Sequence, residues 1–172
     1  MAAPAPAPAK SAIDQNDVED WKNQFNAALA DTSKLTAPSP AGARPWNSSF
    51  FGCLNPIDTC AITCCLPCVT FGKVHHRVRK DPSMQGYEAI NTSCIGYCLS
   101  SFVALHWVMA ALQRSGIRQK YNLEGACLTD IAAACCCGCC DIIQQDKETE
   151  LREKEGASQY SNKENTMTYP SS

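Results

Sequence analysis

Cys94-Ile-Gly-Tyr-Cys-Leu-Ser-Ser-Phe-Val-Ala-Leu-His-Trp-Val-Met-Ala-Ala-Leu112 runs for 19 residues without Asp, Glu, Lys or Arg. His106 is its one ionisable group besides two thiols and the Tyr97 phenol. A helix rises about 1.5 Å per residue, so about 20 apolar residues cross a hydrocarbon core, and the stretch predicts one transmembrane or membrane-embedded helix over 94–112. Gly96, Ser100 and Ala104 fall four apart and form the small-residue stripe that lets helices approach closely in lipid. Tyr97 and Trp107 suit the two interfaces. The competing reading is a buried helix of a soluble Cys-rich domain, because Ser100, Ser101 and His106 lower the hydropathy.

The flanking charges do not orient this helix. Arg77, Arg79 and Lys80 precede it and Arg114, Arg118 and Lys120 follow it, a tie under the positive-inside rule. If both basic clusters stay on one side, the segment doubles back, lies in the interface, or pairs with a second apolar stretch. Cys60–Gly72, broken by Pro67, and Cys127–Ile143, which contains Asp130 and is interrupted by Gly138, read as re-entrant or interfacial pieces. Alternating Val/Ile-rich strands are absent, so the expected fold class is mainly α: a small Cys-rich helical domain with disordered N- and C-terminal tails.

All 13 cysteines lie between Cys53 and Cys140, a local density of about 15%, which marks a chain built around thiol chemistry. The opening Met1-Ala-Ala-Pro-Ala-Pro-Ala-Pro-Ala-Lys10 predicts no cleaved signal peptide, since alternating prolines forbid a helical h-region. Reduced thiols are therefore expected, and an odd number leaves one unpaired in any case. Cys65-x-x-Cys68, with Cys53, Cys60 and Cys64 upstream, and a second pair, either Cys136 and Cys139 or Cys137 and Cys140, have the spacing at which two thiolates reach one tetrahedral ion. The candidate soft-metal ligands are Cys60, Cys64, Cys65, Cys68, Cys137 and Cys140, with Zn, structural or transported, as the cofactor. Two other uses of the same thiols stand beside this one: S-acylation next to an apolar segment, and plain packing as small hydrophobes.

Outside the centre the chain is polar. Residues 1–45 read as a disordered Ala/Pro-rich arm carrying one short amphipathic helix at about 14–30, where Val18, Trp21, Phe25 and Leu29 share a face. Asn16 and Glu19 have the spacing of a cap, and the helix is either transient or a docking element for a protein partner. Thr36–Pro45 reads as a linker. Residues 46–150 form the Cys-rich domain. Asp146–Glu155 alternates charges like a solvated helix end, with Glu150 and Lys154 as an i,i+4 pair, and 151–172 reads as a disordered polar tail.

Several functions are excluded by what is missing. A net charge of −2 and a pI near 5.9 supply no field to gather nucleic acid. Three histidines with no nucleophile motif or phosphate-binding glycine loop argue against an enzyme.

Trp46, Phe51, Cys53, Asp58, Cys60, Leu66-Pro-Cys-Val-Thr-Phe-Gly-Lys73, Arg118-x-x-Tyr121-x-x-x-Gly125, Asp130, Cys137-x-x-Cys140 and Gln144-x-x-x-Glu148 appear in an order that resembles the placenta-specific-eight family of small Cys-rich proteins. Its plant members are called cadmium-resistance and cell-number-regulator proteins, and fungal members are similar to this chain in carrying a long disordered arm. The resemblance covers about residues 46–150. It implies membrane association, usually at the plasma membrane, and roles in heavy-metal tolerance, growth control or cation flux. One position departs: Leu66 stands where the family's signature usually has its middle cysteine, and Cys64 and Cys65 lie one turn away. The function expected is soft-metal binding through thiolates at a membrane, as a homo-oligomer in contact with lipid. The alternative is a membrane-anchored adaptor or growth regulator whose cysteines are structural or S-acylated.

Overall fold

A break at residues 103–105 decides the architecture. The computed structural model describes residues 13–30, 39–54 and 57–166, with side chains as far as 158. The expected single helix over 94–112 is two helices, α4 (Thr92–Phe102) and α5 (His106–Tyr121), and that expectation is corrected. Both serine hydroxyls end α4 by donating to one carbonyl, that of Tyr97, Ser100 at 2.8 Å and Ser101 at 2.9 Å. Leu105 N–H then closes on Ser100 O at 2.8 Å, and Ala104 takes a left-handed φ of 55°. The expected small-residue stripe does not run along one helix, since Ala104 falls in the break; Gly96 does face the hairpin partner, where a Cβ on it would lie 3.4 Å from Cε of Met109 on α5.

The other helices are α1 (Gln15–Ala30), α2 (Ile57–Cys65), α3 (Pro67–Arg79), α6 (Cys127–Cys136) and α7 (Gly138–Thr166), with a short 3-10 turn at Gly52–Leu54. No strand forms among the described residues; one isolated parallel bridge joins Arg44 and Leu123. Pro67 starts α3 at a position that needs no N–H, and the chain bends by 111° between α2 and α3. Among the described residues no single helix is long and apolar enough to cross a membrane; the bent α2–α3 pair passes by length and composition. Cys137 separates α6 from α7 beside Gly138, where the sequence places the interruption.

α1 begins at Asp14, whose carboxylate accepts from Asn16 N–H at 3.0 Å, so Asp14 and not Asn16 is the cap. The helix docks on its own chain. Trp21 stacks on Phe71 and His75 and donates to Ser93 Oγ at 2.9 Å, while Lys80 pairs with Asp14 and the buried Asp17. Val18, Phe25 and Leu29 remain exposed. Part of the expected linker is also held, since Ser39 Oγ donates to Gly125 O at 2.9 Å and accepts from Gly125 N–H at 2.8 Å. The first part of the linker lies outside the described residues.

Two apolar clusters form the core, one around Phe71, Tyr97, Ala110 and Ile142, the other around Val74, Ile117 and Leu123. α7 passes between the surrounding helices and buries Asp141, Gln145, Asp146, Glu148 and Thr149. The solvated end expected from Asp146 is thereby corrected, because alternating charges here meet partners on α3 and the 39–54 strap. Lys154 and Glu150 do form their exposed pair, at 2.6 Å. α7 continues to Thr166, and residues 167–172 lie outside the described residues.

Candidate functional site: a thiol-rich apolar end above a buried charge layer

The charge layer positions everything above it. Arg114 on α5 donates to Asp141 and Gln144 on α7, both at 2.8 Å, and its Nε lies 3.2 Å from Asp130 on α6. Arg118, one turn on, grips Asp130 through Nε and Nη2 and donates to Gly125 O at 2.9 Å. Trp46 covers Arg114, with the guanidinium carbon 4.0 Å from the ring centroid. On the α3 side, Arg77 and Lys73 hold Asp146 at 2.6 and 2.9 Å. Burial pushes Asp141 up to about 6 against the pull of Arg114, and pushes Asp130 up against Arg118 and Arg114.

Gly72 and Asn91 show how closely the helices approach. Asn91 caps α4 by accepting from Cys94 N–H at 3.0 Å, and its Oδ1 lies 2.6 Å from where a Gly72 Cβ would sit.

Above this layer the helices end in an apolar surface. Phe51, Leu54, Ile57, Leu99, Phe102 and Val103 are exposed, Phe102 at 81%. Residues 47–72, 94–112 and 131–140 contribute one charged residue to it, Asp58. Exposed apolar side chains with so few charges among them are what an interaction or membrane-contact surface presents.

The thiols gather at this end in two groups. The first holds Cys53, Cys60, Cys64, Cys137, Cys139 and Cys140: Cys60 faces Cys64, Cys53 and Cys137, Cys139 faces Cys64, and Cys53 Sγ lies 3.2 Å from Cys140 Sγ. The second is Cys68 against Cys94, with Cys98 beside it. Of the six candidate ligands, the structure brings Cys60, Cys64, Cys137 and Cys140 together, places Cys68 in the other group, and leaves Cys65 exposed. Leu66, at the departure from the family pattern, sits exposed at the α2–α3 bend, and Cys64 occupies the thiol group in its stead.

Burial, then neighbouring thiols, pushes Cys139 and Cys94 up to about 11 and raises Cys60 and Cys140 as well. The donor chemistry suits a soft metal. As the side chains lie, no three His, Cys, Asp or Glu among the described residues share ligand geometry, so a multi-thiolate site requires rotation of these cysteines.

The six candidate ligands leave out Cys53 and Cys139, which join the thiol group, and sequence reasoning missed Arg77, Arg114, Asp141 and Asp146 as a layer. The available signal was spacing: Arg114 and Arg118, Lys73 and Arg77, and Asp141, Gln145 and Glu148 each repeat at three or four residues.

The PLAC8 family pattern matches residues 46–148. "Cell number regulator 9" of Zea mays is 30% identical over 122 residues, covering 69% of this chain and 67% of that protein. "Protein PLANT CADMIUM RESISTANCE 1" of Arabidopsis thaliana is 31% identical over 114 residues, 66% of this chain and 72% of that protein. "Protein PLANT CADMIUM RESISTANCE 8" of the same plant is 30% identical over 110 residues, and the match covers 63% of this chain and 55% of that protein. No solved structure matches.

Proposed function

Because the chain belongs to the PLAC8 family, we propose that it is a non-enzymatic, Cys-rich protein of a membrane surface, at the plasma membrane and as a homo-oligomer, that binds soft metal ions such as zinc and cadmium through thiolates and contributes to heavy-metal tolerance or cation transport. The observation that carries this reading is the coincidence of six thiols with exposed apolar side chains in segments whose one charged residue is Asp58, in a chain similar to proteins named for cadmium resistance. Burying apolar side chains such as Phe51 and Phe102 in the acyl boundary is favourable, and the adjacent cysteines then meet metal in a low-dielectric setting. Raised thiol pKa values make binding release protons, so affinity increases with pH.

The test is metal analysis of the full chain purified under reducing conditions, paired with cadmium sensitivity of cells expressing it. Bound zinc or cadmium that falls at least tenfold in affinity in Cys60→Ser/Cys64→Ser supports the reading. Metal-free protein, with sensitivity unchanged by those substitutions, sinks it.

A second reading is favoured by the absence of ligand geometry among the described residues: a membrane-anchored adaptor or growth regulator whose cysteines pack or carry acyl chains. It predicts that removing residues 1–45, with α1 and its exposed Val18, Phe25 and Leu29, abolishes function while cysteine changes only mislocalise the protein.

A further inference from the structure

From the geometry we infer that Cys53 and Cys140 are a redox pair that closes to a reversible disulfide, pinning the strap at 47–53 to α7. Their sulfurs are 3.2 Å apart, and the contact is built on both sides. Glu148 accepts from Asn47 N–H at 2.8 Å, Gln144 donates to Ser48 O at 2.6 Å, and Lys147 donates to Gly52 O at 2.5 Å. Cys140, Gln144, Lys147 and Glu148 recur at helical spacing, so one face of α7 reads the strap residue by residue and delivers Cys53 to Cys140. The supporting helix is rigid at this point, since neighbouring Asp141 is buried and held by Arg114.

A disulfide needs about 2.05 Å, so closing the bond brings the two sulfurs about 1.2 Å nearer. The inference does not depend on the proposed metal chemistry.

The oxidant is a small disulfide of the glutathione class. Cys53, half-buried at the surface, is the thiol it reaches; Cys140 is buried. The Cys53 thiolate attacks one sulfur of glutathione disulfide, forming a mixed disulfide as the first glutathione leaves as thiolate. Cys140, deprotonated, then attacks the Cys53 sulfur and expels the second. Two protein thiols lose two protons and two electrons, and one glutathione disulfide becomes two glutathione thiols. In a reducing compartment such a bond is transient and responsive, as redox-sensing disulfides are. Closing it also withdraws Cys140 from the thiol group.

The test equilibrates the full chain, purified in detergent under reductant, in glutathione buffers of increasing oxidation. Acid quenching, denaturation and maleimide labelling follow, with intact mass read at each step. Wild type is expected to take up two labels fewer than its thirteen cysteines allow, and proteolytic mapping of that wild-type sample to link the Cys53 and Cys140 peptides. Cys53→Ser is expected to keep all its labels over the same range, while Cys98→Ser loses two as wild type does. Full labelling of wild type in fully oxidised glutathione, a mapped link between other cysteines, or loss of two labels in Cys53→Ser would each overturn the inference.

Discussion

Gly125 holds a φ of 135°, and a Cβ there would meet Arg118 Cδ at 2.9 Å. Arg118 is at that spot because its guanidinium serves Gly125 O and Asp130 together. Gly125→Ala therefore combines a strained backbone with displacement of a buried arginine, and an expected loss of about 2 kcal/mol lowers the thermal midpoint by roughly 5 °C. Asp141 makes a different prediction. Its folded pKa of about 6 lies above the unfolded 3.8, so its protonated form favours folding fully below pH 3.8, and that stabilisation is lost as pH rises through 6. The midpoint of wild type relative to Asp141→Asn is expected to fall between pH 4 and pH 7; thermal melts across that range check it, and a flat or rising difference refutes it. Arg118, Tyr121, Gly125 and Asp130 were legible as an ordered pattern, but not their roles: Tyr121, for example, donates to Glu153, 32 residues away. Arg114 and Asp141 were illegible because each stands beside an apolar run, where a charge reads as a segment end until its partner on another helix is seen.

Among the elements, α1 and the α4–α5 hairpin differ in how far sequence reached. The 14–30 periodicity identified α1, and Trp21 was among its apolar positions; what periodicity does not carry is the groove, which comes from Phe71, His75 and Ser93 on two other helices. Trp21→Ala is expected to cost about 2 kcal/mol locally, seen as loss of hydrogen-exchange protection in α1 with protection retained in α5. The hairpin was hidden for a physical reason. Nineteen uncharged residues satisfy a length rule, whereas the stop comes from two serine hydroxyls bonding back to Tyr97 O and one left-handed residue, features with no hydropathy signature. Ala104→Gly is expected to stabilise by roughly 0.5–1 kcal/mol, because glycine adopts that φ without a Cβ penalty; a straight 94–112 helix would instead lose stability by about as much. Denaturant melts of that single variant separate the two geometries.

At the scale of the molecule, the hairpin resolves the charge tie around 94–112. Because α5 returns alongside α4, the basic residues that end α3 and those that end α5 lie together: Lys120 Nζ donates to Val78 O at 2.9 Å, one residue before Arg79. The apolar end, with Phe51 and Phe102, lies at the opposite ends of these helices, so charge and hydropathy divide the protein along its helix axes. A straight span would instead separate the clusters by about 30 Å of hydrocarbon. Single cysteines at Lys80 and Lys120, in a chain whose native cysteines are replaced by serine or alanine, distinguish the arrangements in sealed vesicles carrying the protein. An impermeant maleimide is expected to label both positions from one side or neither, never one alone. Phe102→Asp gives the companion measurement. Placing a charge on the apolar end is expected to weaken vesicle partition at least tenfold while leaving the helical signal unchanged, since residue 102 packs against solvent and not against the core. Opposite-sided labelling of the two positions would require the 94–112 helix to straighten in lipid, and unaltered partition of Phe102→Asp would remove the apolar end from the membrane contact.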